Sequence, residues 1–287
     1  MKIALGTAQF GLDYGVSNVA GRVPADEVAS ILDCACSAGV DVLDSAWAYG
    51  DAERVLGELR AAERFRIVTK TAPLAEDGVP GVAAKVRESI ERLGATPLYG
   101  LLVHHPADLL GDDGPELAEM LQKLKASGAV ERIGVSGYGA QELFAALEML
   151  GDADLVQVPI NVFDQRLVSS GALAKLKARG IEVHARSAYL QGLLLMDPSE
   201  IPDYFDPIRD RIAAWRVFCA ERSLTPLAAL GFVTGIDEVE HVVVGVESAQ
   251  QLAGVLAAAE PFQSADFAEL AIDDPELVDP SRWSVRR

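Results

Sequence analysis

Short apolar runs alternate with longer amphipathic stretches along the whole chain of 287 residues, and this alternation constrains the fold more than any other feature. The runs are almost continuously apolar, as expected for parallel strands that are buried on both faces. A strand with one solvated face would instead alternate apolar and polar residues. The predicted strands are residues 2–5, 40–44, 66–70, 99–103, 132–136, 155–159, 181–185 and 241–245.

The stretches between these runs carry the start and stop signals of helices. Residues 24–39 begin at a proline, continue with acidic residues and end at Gly39, the expected order of a helix N-terminus and C-cap. After the seventh strand, the pattern predicts a loop over 188–206 and helical stretches over 207–222 and 226–235. The other predicted helices are residues 51–60, 82–94, 115–128, 140–151, 167–180 and 248–260.

Eight strand–helix units favour one α/β domain over residues 1–287, folded as a (β/α)8 or TIM barrel. An open, doubly wound sheet is the alternative. That fold normally carries GxGxxG after its first strand, where this chain has GTAQFG at 6–11. The acidic segment from about 263 to 287 is expected to lie as a C-terminal tail on the barrel surface.

Charge and composition exclude several classes of partner. A net charge of −18 argues against binding to nucleic acid or to an anionic membrane surface. The N-terminus lacks the pattern of a signal peptide, and no apolar run is long enough to span a membrane. The three cysteines lack metal-ligand or disulfide spacing and fit a reducing compartment. We therefore expect a cytoplasmic protein that holds no metal ion.

Ionisable side chains follow the second, third and fourth predicted strands. They are a carboxylate, a phenol, an ammonium and an imidazole: Asp44, Tyr49, Lys70 and His104. In a barrel, the carboxyl ends of the strands converge on one mouth. A phenol is a poor proton donor at neutral pH unless a nearby cation lowers its pKa from about 10. Each residue alone also fits an ordinary structural role, but the set suits protonation of a carbonyl oxygen during hydride transfer.

Several segments resemble the aldo-keto reductase family, in the order that the family has them. The segments are residues 40–59, 66–70, 101–106, 132–138, 156–166 and 242–252. The resemblance covers nearly the whole chain and implies a mechanism. It implies that Tyr49 is the general acid, that Lys70 lowers the pKa of Tyr49, and that Asp44 pairs with Lys70. It also implies that His104 orients the carbonyl group and that His105 is the variable residue of the motif.

The resemblance further implies a nicotinamide cofactor that lies across the mouth. NADP(H) is favoured, and Glu247 in the eighth-strand segment keeps NAD(H) as the alternative, because an acid is unfavourable for a 2′-phosphate. Ser136 and Gln157 match the positions that hold the carboxamide. The remaining cofactor positions are Gly6, Thr7, Asp44, Arg186, Ser187, Leu190, Gly192, Leu193, Gly245, Ser248 and Gln251.

Arg186 stands where the family usually has an aromatic residue that stacks on the nicotinamide ring. A guanidinium plane can also stack on a ring. A cation beside an oxidised nicotinamide is unfavourable, so this position could favour binding of the reduced cofactor. The alternative interpretation is an arginine paired with an acidic neighbour.

The expected partner is a small carbonyl compound. Pocket-lining residues are expected on the mouth loops, and they are Tyr14, Trp47, His105, Tyr138 and Phe163. This mixture suits a small polar aldehyde or a sugar-derived carbonyl, and residues 10–15 and 186–197 resemble a bacterial subgroup associated with sugar or polysaccharide metabolism. Two alternatives stay open: a cofactor-binding regulatory protein with little turnover, and a different TIM-barrel enzyme such as a metal-dependent hydrolase.

Overall fold

The computed structural model describes residues 2–74, 77–259 and 264–283. Within them, eight parallel strands close into a barrel in chain order, and the last strand pairs with the first. The predicted (β/α)8 barrel is confirmed, and the open sheet is wrong. The strands are β1 (Ile3–Gly6), β2 (Val42–Asp44), β3 (Arg66–Lys70), β4 (Leu98–Val103), β5 (Val130–Ser136), β6 (Leu155–Pro159), β7 (Glu182–Arg186) and β8 (His241–Gly245).

Small differences from the predicted strand ends have local causes. β2 begins two residues later than predicted, because the backbone N–H of Val40 donates to the carbonyl of Ala35 and closes the preceding helix. β7 extends by one residue, because Arg186 pairs with Pro159 of β6. This extension places the arginine at the very end of its strand, on the rim of the barrel.

The helices lie outside the strands, as predicted. The predicted helix over 167–180 is divided at Gly171, whose φ of 70° interrupts it. No helix among the described residues is long and apolar enough to cross a membrane. The helices are α1 (Ala8–Gly11), α2 (Ala25–Ser37), α3 (Ala52–Glu58), α4 (Gly78–Leu93), α5 (Ala107–Leu110), α6 (Gly114–Ala126), α7 (Ala140–Leu150), α8 (Arg166–Ser169), α9 (Ala172–Ala178), α10 (Asp206–Glu221), α11 (Ala229–Thr234), α12 (Ala249–Ala257) and α13 (Pro275–Val278).

Two apolar clusters hold the barrel together. The larger cluster fills the space between strands and helices. The smaller one lies inside the barrel, since it joins side chains from six strands and no helix: Ala4, Val42, Val68, Tyr99, Leu102, Leu155 and Val243. Burying one such aliphatic side chain stabilises the fold by about 1.5–3 kcal/mol. The interior is therefore a packed layer that separates the two ends of the barrel, which we call the mouth (carboxyl ends of the strands) and the base (amino ends).

The C-terminal segment packs against the long chain stretch between β7 and β8. Phe267 is buried against Trp215 and Phe232. Further on, the ring of Trp283 meets Phe205 edge-on, with 4.8 Å between ring centroids. The segment thereby reaches the mouth, where Trp283 lines the cavity described below. Residues 263 and 284–287 of the predicted tail lie outside the described part of the chain.

Candidate active site

An ion pair is buried at the mouth, between the last residues of β2 and β3. The Lys70 ammonium donates to both carboxylate oxygens of Asp44 at 2.8 Å and to the Ser45 carbonyl at 2.9 Å. The exposed fractions of Lys70 and Asp44 are only 1% and 3%. Gln157 Nε2 donates to Asp44 Oδ1 at 2.6 Å and fixes the carboxylate from the other side. Burial lowers the pKa of Lys70, and the Asp44 carboxylate opposes that shift.

The Tyr49 hydroxyl lies 3.4 Å from the Lys70 ammonium and makes a hydrogen bond with it. The loop after β2 brings the tyrosine there through a close backbone contact with α1. A Cβ at Gly50, where φ is 56°, would lie 2.6 Å from the Gly11 carbonyl oxygen. A Cβ at Gly11 would lie 1.9 Å from the backbone carbonyl oxygen of Tyr49. Neither position accepts a side chain without moving this loop.

His104 directly follows β4 and completes the group of four predicted catalytic residues, which we call the tetrad. Its ring stands edge-on to the Tyr49 ring at 6.1 Å and stacks on His105 at 4.8 Å. Burial lowers the pKa of His104 to about 2, with smaller contributions from the charges of Lys70, His105 and Arg186. The imidazole is therefore neutral at ordinary pH. Among the described residues, its buried Nδ1 has no hydrogen-bond partner.

The tetrad opens into a cavity of about 540 Å³. Ten further predicted residues line this cavity, and they come from both the cofactor set and the pocket set. They are Gly6, Thr7, Ser136, Gln157, Arg186, Ser187, Gly245, Tyr14, His105 and Tyr138. The structure thus brings together all four residues of the tetrad and most of the predicted binding residues.

Two predicted pocket residues lie elsewhere. Phe163 is only 1% exposed, and its carbonyl accepts a hydrogen bond from Ile272 beneath the C-terminal segment. The side-chain Oδ1 of Asn161 accepts a hydrogen bond from the backbone N–H of Phe163 at 2.9 Å. This bond stabilises the turn of the chain that directs Phe163 into the core. Trp47 is not part of the cavity wall and carries the Lys85 ammonium 5.0 Å above its ring. Neither Phe163 nor Trp47 lines the cavity in this structure.

Three predicted cofactor residues of the loop after β7 do not line the cavity but determine the shape of the loop. They are Leu190, Gly192 and Leu193. Leu190 and Leu193 are fully buried. Gly192 has a φ of 93°, and a Cβ there would lie 1.9 Å from the Ser17 hydroxyl oxygen. Gln191 of this loop lines the cavity together with Ser187, Ala188 and Tyr189, and its Nε2 donates to the Tyr14 hydroxyl at 3.2 Å.

Sequence reasoning missed several residues of the cavity wall. Gln191 could have been found, because it lies between two predicted positions. Others come from distant parts of the chain and had no local signal. The missed residues are Ala8, Gln9, Leu12, Ala48, Ala188, Tyr189, Gln191, Val243, Val244, Pro280, Ser281 and Trp283.

The residues at the predicted carboxamide position fit that group. The Nε2 of Gln157 donates a hydrogen bond to Asp44, while its buried Oε1 has no partner among the described residues. An unpaired buried acceptor costs about 1–3 kcal/mol, and the NH2 of a carboxamide would satisfy it. Ser136 lies beside it, paired with Gln157 across β5 and β6. The absence of a side chain at Gly245 leaves space in the cavity next to Gln9, because a Cβ there would lie 2.4 Å from Gln9 Oε1. This oxygen is also a buried acceptor without a partner among the described residues.

The predicted adenosine end lies at the start of α12. Ser248 caps this helix by accepting from the Gln251 backbone N–H at 3.1 Å, and neither side chain is part of the cavity wall. Two carboxylates are close. The Glu27 carboxylate accepts from the Ala249 N–H at 2.8 Å. The Glu247 carboxylate has a hydrogen bond with the Gln251 side chain, whose Oε1 also accepts from the Glu247 backbone N–H at 2.7 Å. This end of the site is therefore acidic.

A closed (β/α)8 barrel with a buried Asp–Lys pair, a phenol and a neutral imidazole at its mouth carries the groups that general acid catalysis requires, at the end of the barrel where active sites lie. Comparison with known families agrees. Residues 2–272 match the model of the aldo/keto reductase family. The chain belongs to this family, as its motifs predicted.

Some of the curated relatives have names that refer to sugars or sugar derivatives. A D-threo-aldose 1-dehydrogenase from a Pseudomonas species is 27% identical, over 94% of this chain and 92% of the relative. A 6-dehydroglucose reductase from Novosphingobium aromaticivorans is 33% identical over 149 residues, which is 46% of this chain and only 48% of the relative. An aldo-keto reductase structure from Bacillus halodurans, in its holo form, shares the fold with a TM-score of 0.78, 18% identity and coverage of 98% of this chain and 95% of that one.

Proposed function

We propose that this protein reduces an aldehyde or ketone of a sugar-derived compound to an alcohol, with Tyr49 as the general acid. The observation that carries the proposal is the position of the Tyr49 hydroxyl, 3.4 Å from a Lys70 ammonium that is itself held by Asp44. All three side chains line one cavity together with the neutral His104. The family and its sugar-related members support this choice of reaction.

The chain's own residues handle the proton. Tyr49 donates to the carbonyl oxygen, and the Lys70 ammonium stabilises the phenolate that remains. At an effective dielectric of about 20, two unit charges 3.4 Å apart attract by about 5 kcal/mol. The Asp44 carboxylate offsets part of this attraction. Bringing a phenol from its ordinary pKa to neutrality takes about 4 kcal/mol, so the effect has the required size.

The other residues position the reactants. His104 is neutral, and an imidazole N–H can donate a hydrogen bond to the carbonyl oxygen and orient it. Ser136 and Gln157 would hold the carboxamide of the nicotinamide cofactor, which supplies the hydride when it is bound. The cavity wall around them limits access of water to the reacting carbonyl.

For the cofactor we propose NADP(H), on the strength of the family resemblance. The carboxylates of Glu27 and Glu247 near α12 favour NAD(H) instead, since they would repel a 2′-phosphate. Steady-state kinetics with both cofactors decide between them. A lower KM for NADH than for NADPH would reverse this assignment without affecting the proposed reaction.

The reaction is tested with the variant Tyr49→Phe. Wild-type protein should oxidise NADPH in the presence of 4-nitrobenzaldehyde or glyceraldehyde, and the variant should lose about 10³-fold in kcat/KM, because general acid catalysis contributes about 10²–10⁴-fold. Tyr204→Phe, at a tyrosine 45% exposed on the surface, is the matched control and should keep the rate. A Tyr49→Phe variant that keeps a tenth of the activity would refute the role. A wild-type protein that binds cofactor but turns over no aldehyde would instead favour a regulatory protein.

A further inference from the structure

The cavity contains a cation that has no counterion among the described residues. Arg186, the last residue of β7, is half-buried and lines the cavity. Its guanidinium carbon lies 4.0 Å over the Tyr138 ring, it has a hydrogen bond with the Tyr138 side chain, and its Nη2 donates to the Gly137 carbonyl at 3.5 Å. In the described part of the chain, no carboxylate oxygen lies within 4 Å of it, so an acidic partner for this arginine is not found there. A guanidinium has five N–H donors, and most of these stay free for a ligand.

The other charges of the cavity wall cancel. Asp44 is committed to Lys70 and Gln157, and His104 is neutral. Arg186 therefore leaves the described wall with one uncompensated positive charge, in a chain whose net charge is −18. Charged side chains away from water are normally paired, so the arrangement calls for a monoanionic group from outside the chain.

The free cation lies at the reacting end of the cavity. Burial is the main cause that lowers the pKa of Lys70 and of His104, and the nearby charge of Arg186 lowers both pKa values further. The side chain leans toward Gly137 and Tyr138, which follow β5, and so away from β8 and from the start of α12. It is therefore separated from the segment where the phosphates of the cofactor's adenosine end are expected.

We propose that Arg186 binds a carboxylate of the substrate, so that the preferred substrate is a carbonyl compound that also carries a carboxylic acid, such as an oxidised sugar acid. A guanidinium binds a carboxylate with two parallel hydrogen bonds, which fixes orientation as well as charge. Tyr138 supports one face of the guanidinium and leaves its edge for the ligand. This inference rests on the proposed carbonyl reduction and names the substrate class of the same site.

Two matched pairs of substrates test the inference. D-glucuronate and D-glucose differ in a carboxylate against a hydroxymethyl group, and 4-carboxybenzaldehyde and 4-nitrobenzaldehyde differ in a carboxylate against an uncharged group. The wild type should prefer at least one acid over its neutral counterpart by 30-fold or more in kcat/KM. Arg186→Met, which removes the charge but keeps much of the side-chain length, should lower kcat/KM for the preferred acid about 30-fold more than for its neutral counterpart, and so abolish this preference. Arg64→Met, at a surface ion pair with Asp33, is the control for loss of one positive charge.

The outcomes separate this inference from the proposed function. If the wild type reduces 4-nitrobenzaldehyde but prefers neither acid, or if Arg186→Met slows acid and neutral substrates equally, the carboxylate role is wrong while carbonyl reduction stands. If Arg186→Met weakens NADPH binding in a fluorescence titration by more than tenfold with no change in the acid preference, Arg186 serves the cofactor and the inference fails. If no aldehyde is reduced, the proposed function itself fails.

Discussion

The two ends of the barrel each contain a buried carboxylate with basic partners, yet they are built differently. At the base, Glu182 accepts hydrogen bonds from the Tyr99 hydroxyl at 2.9 and 3.0 Å, contacts His184 Nε2 at 2.7 Å and lies 3.3 Å from Arg132. Burial raises the pKa of Glu182, but the His184 and Tyr99 contacts and the Arg132 charge outweigh burial and bring it to about 2. This carboxylate is fully engaged by the protein.

At the mouth, the Asp44 carboxylate and the Ser45 carbonyl hold an ammonium that also contacts the Tyr49 hydroxyl, inside a cavity. The unpaired Oε1 of Gln157 and the free donors of Arg186 face the same region. The comparison teaches that residue types alone do not separate a functional cluster from a structural one. What separates them is whether the unpaired polar groups line a cavity that a ligand can enter. Those at the mouth do, whereas His184 Nδ1 and His241 Nδ1 at the base, which have no partner among the described residues, are buried outside the cavity. We therefore expect mutations at the mouth to remove activity and mutations at the base to remove stability.

The largest effect is expected for Asp44→Asn at the mouth. Loss of the carboxylate leaves the Lys70 ammonium buried without its partner, which costs about 3 kcal/mol in the free energy of unfolding. Activity should fall by about 10³-fold, because Lys70 no longer keeps its charge next to Tyr49. Urea denaturation and kcat/KM with 4-nitrobenzaldehyde measure the two effects. Glu58→Gln, in an exposed pair with Arg54, should change neither quantity, and an Asp44→Asn variant with normal activity would contradict the assignment of Asp44.

The matching change at the base is Glu182→Gln. The pKa of Glu182 is about 2 in the folded protein, whereas a glutamate in the unfolded chain has a pKa of about 4.3. This difference stabilises the fold by about 3 kcal/mol above pH 4.3, and the stabilisation is lost as the pH falls toward 2. The variant should lose roughly this free energy of unfolding at pH 7, while kcat/KM stays within threefold of wild type. A large loss of activity in a variant that remains folded would break the division between mouth and base.

A smaller effect is expected from acidification at the base. Burial lowers the pKa of His241 to about 4, next to His184, Glu182, Asp41 and Arg66. The unfolded histidine takes up a proton below about pH 6.5 while the folded one stays neutral, so stability falls as the pH drops from 6.5 toward 4. Between pH 6.5 and 5, the loss from this group is about 2 kcal/mol. Urea denaturation at pH 6.5 and at pH 5 measures the loss in the free energy of unfolding. In His241→Gln, this loss should be smaller by about 2 kcal/mol. An unchanged pH dependence in His241→Gln would show that His241 does not titrate in this window.

The smallest predicted effect concerns the acidic rim of the mouth. Glu247→Lys should raise the ratio of kcat/KM for NADPH to that for NADH by about tenfold, which corresponds to about 1.4 kcal/mol, because it replaces a repulsive charge with an attractive one. Kinetics at two salt concentrations measure the change, and higher salt should reduce it. Glu142→Lys, on the exposed side of α7, controls for net charge. An equal change in both variants would show that Glu247 does not contact the cofactor's phosphate.

Much of the barrel could be predicted from local pattern. Strand positions agreed with the structure to within about two residues, since a short apolar run between helix signals has few other conformations open to it. The meeting of the tetrad residues was also predictable, because each lies at the end of a strand or within a few residues after it, and parallel strands in a barrel end at one mouth. Phe163 shows the limit of this reasoning. It follows β6 just as the tetrad residues follow their strands, but one hydrogen bond to the Asn161 side chain turns it into the core.

The sequence by itself determined the eight strands, the family and the residues Asp44, Tyr49, Lys70 and His104. These depend on short-range periodicity and on motifs a few residues long. Only the tertiary structure decided that Trp283 closes the cavity from the far end of the chain, that Glu27 reaches α12, and that Arg186 has no acidic neighbour among the described residues. Those facts depend on contacts between segments far apart in sequence. Such contacts form only when the whole core packs, and local patterns carry no record of them.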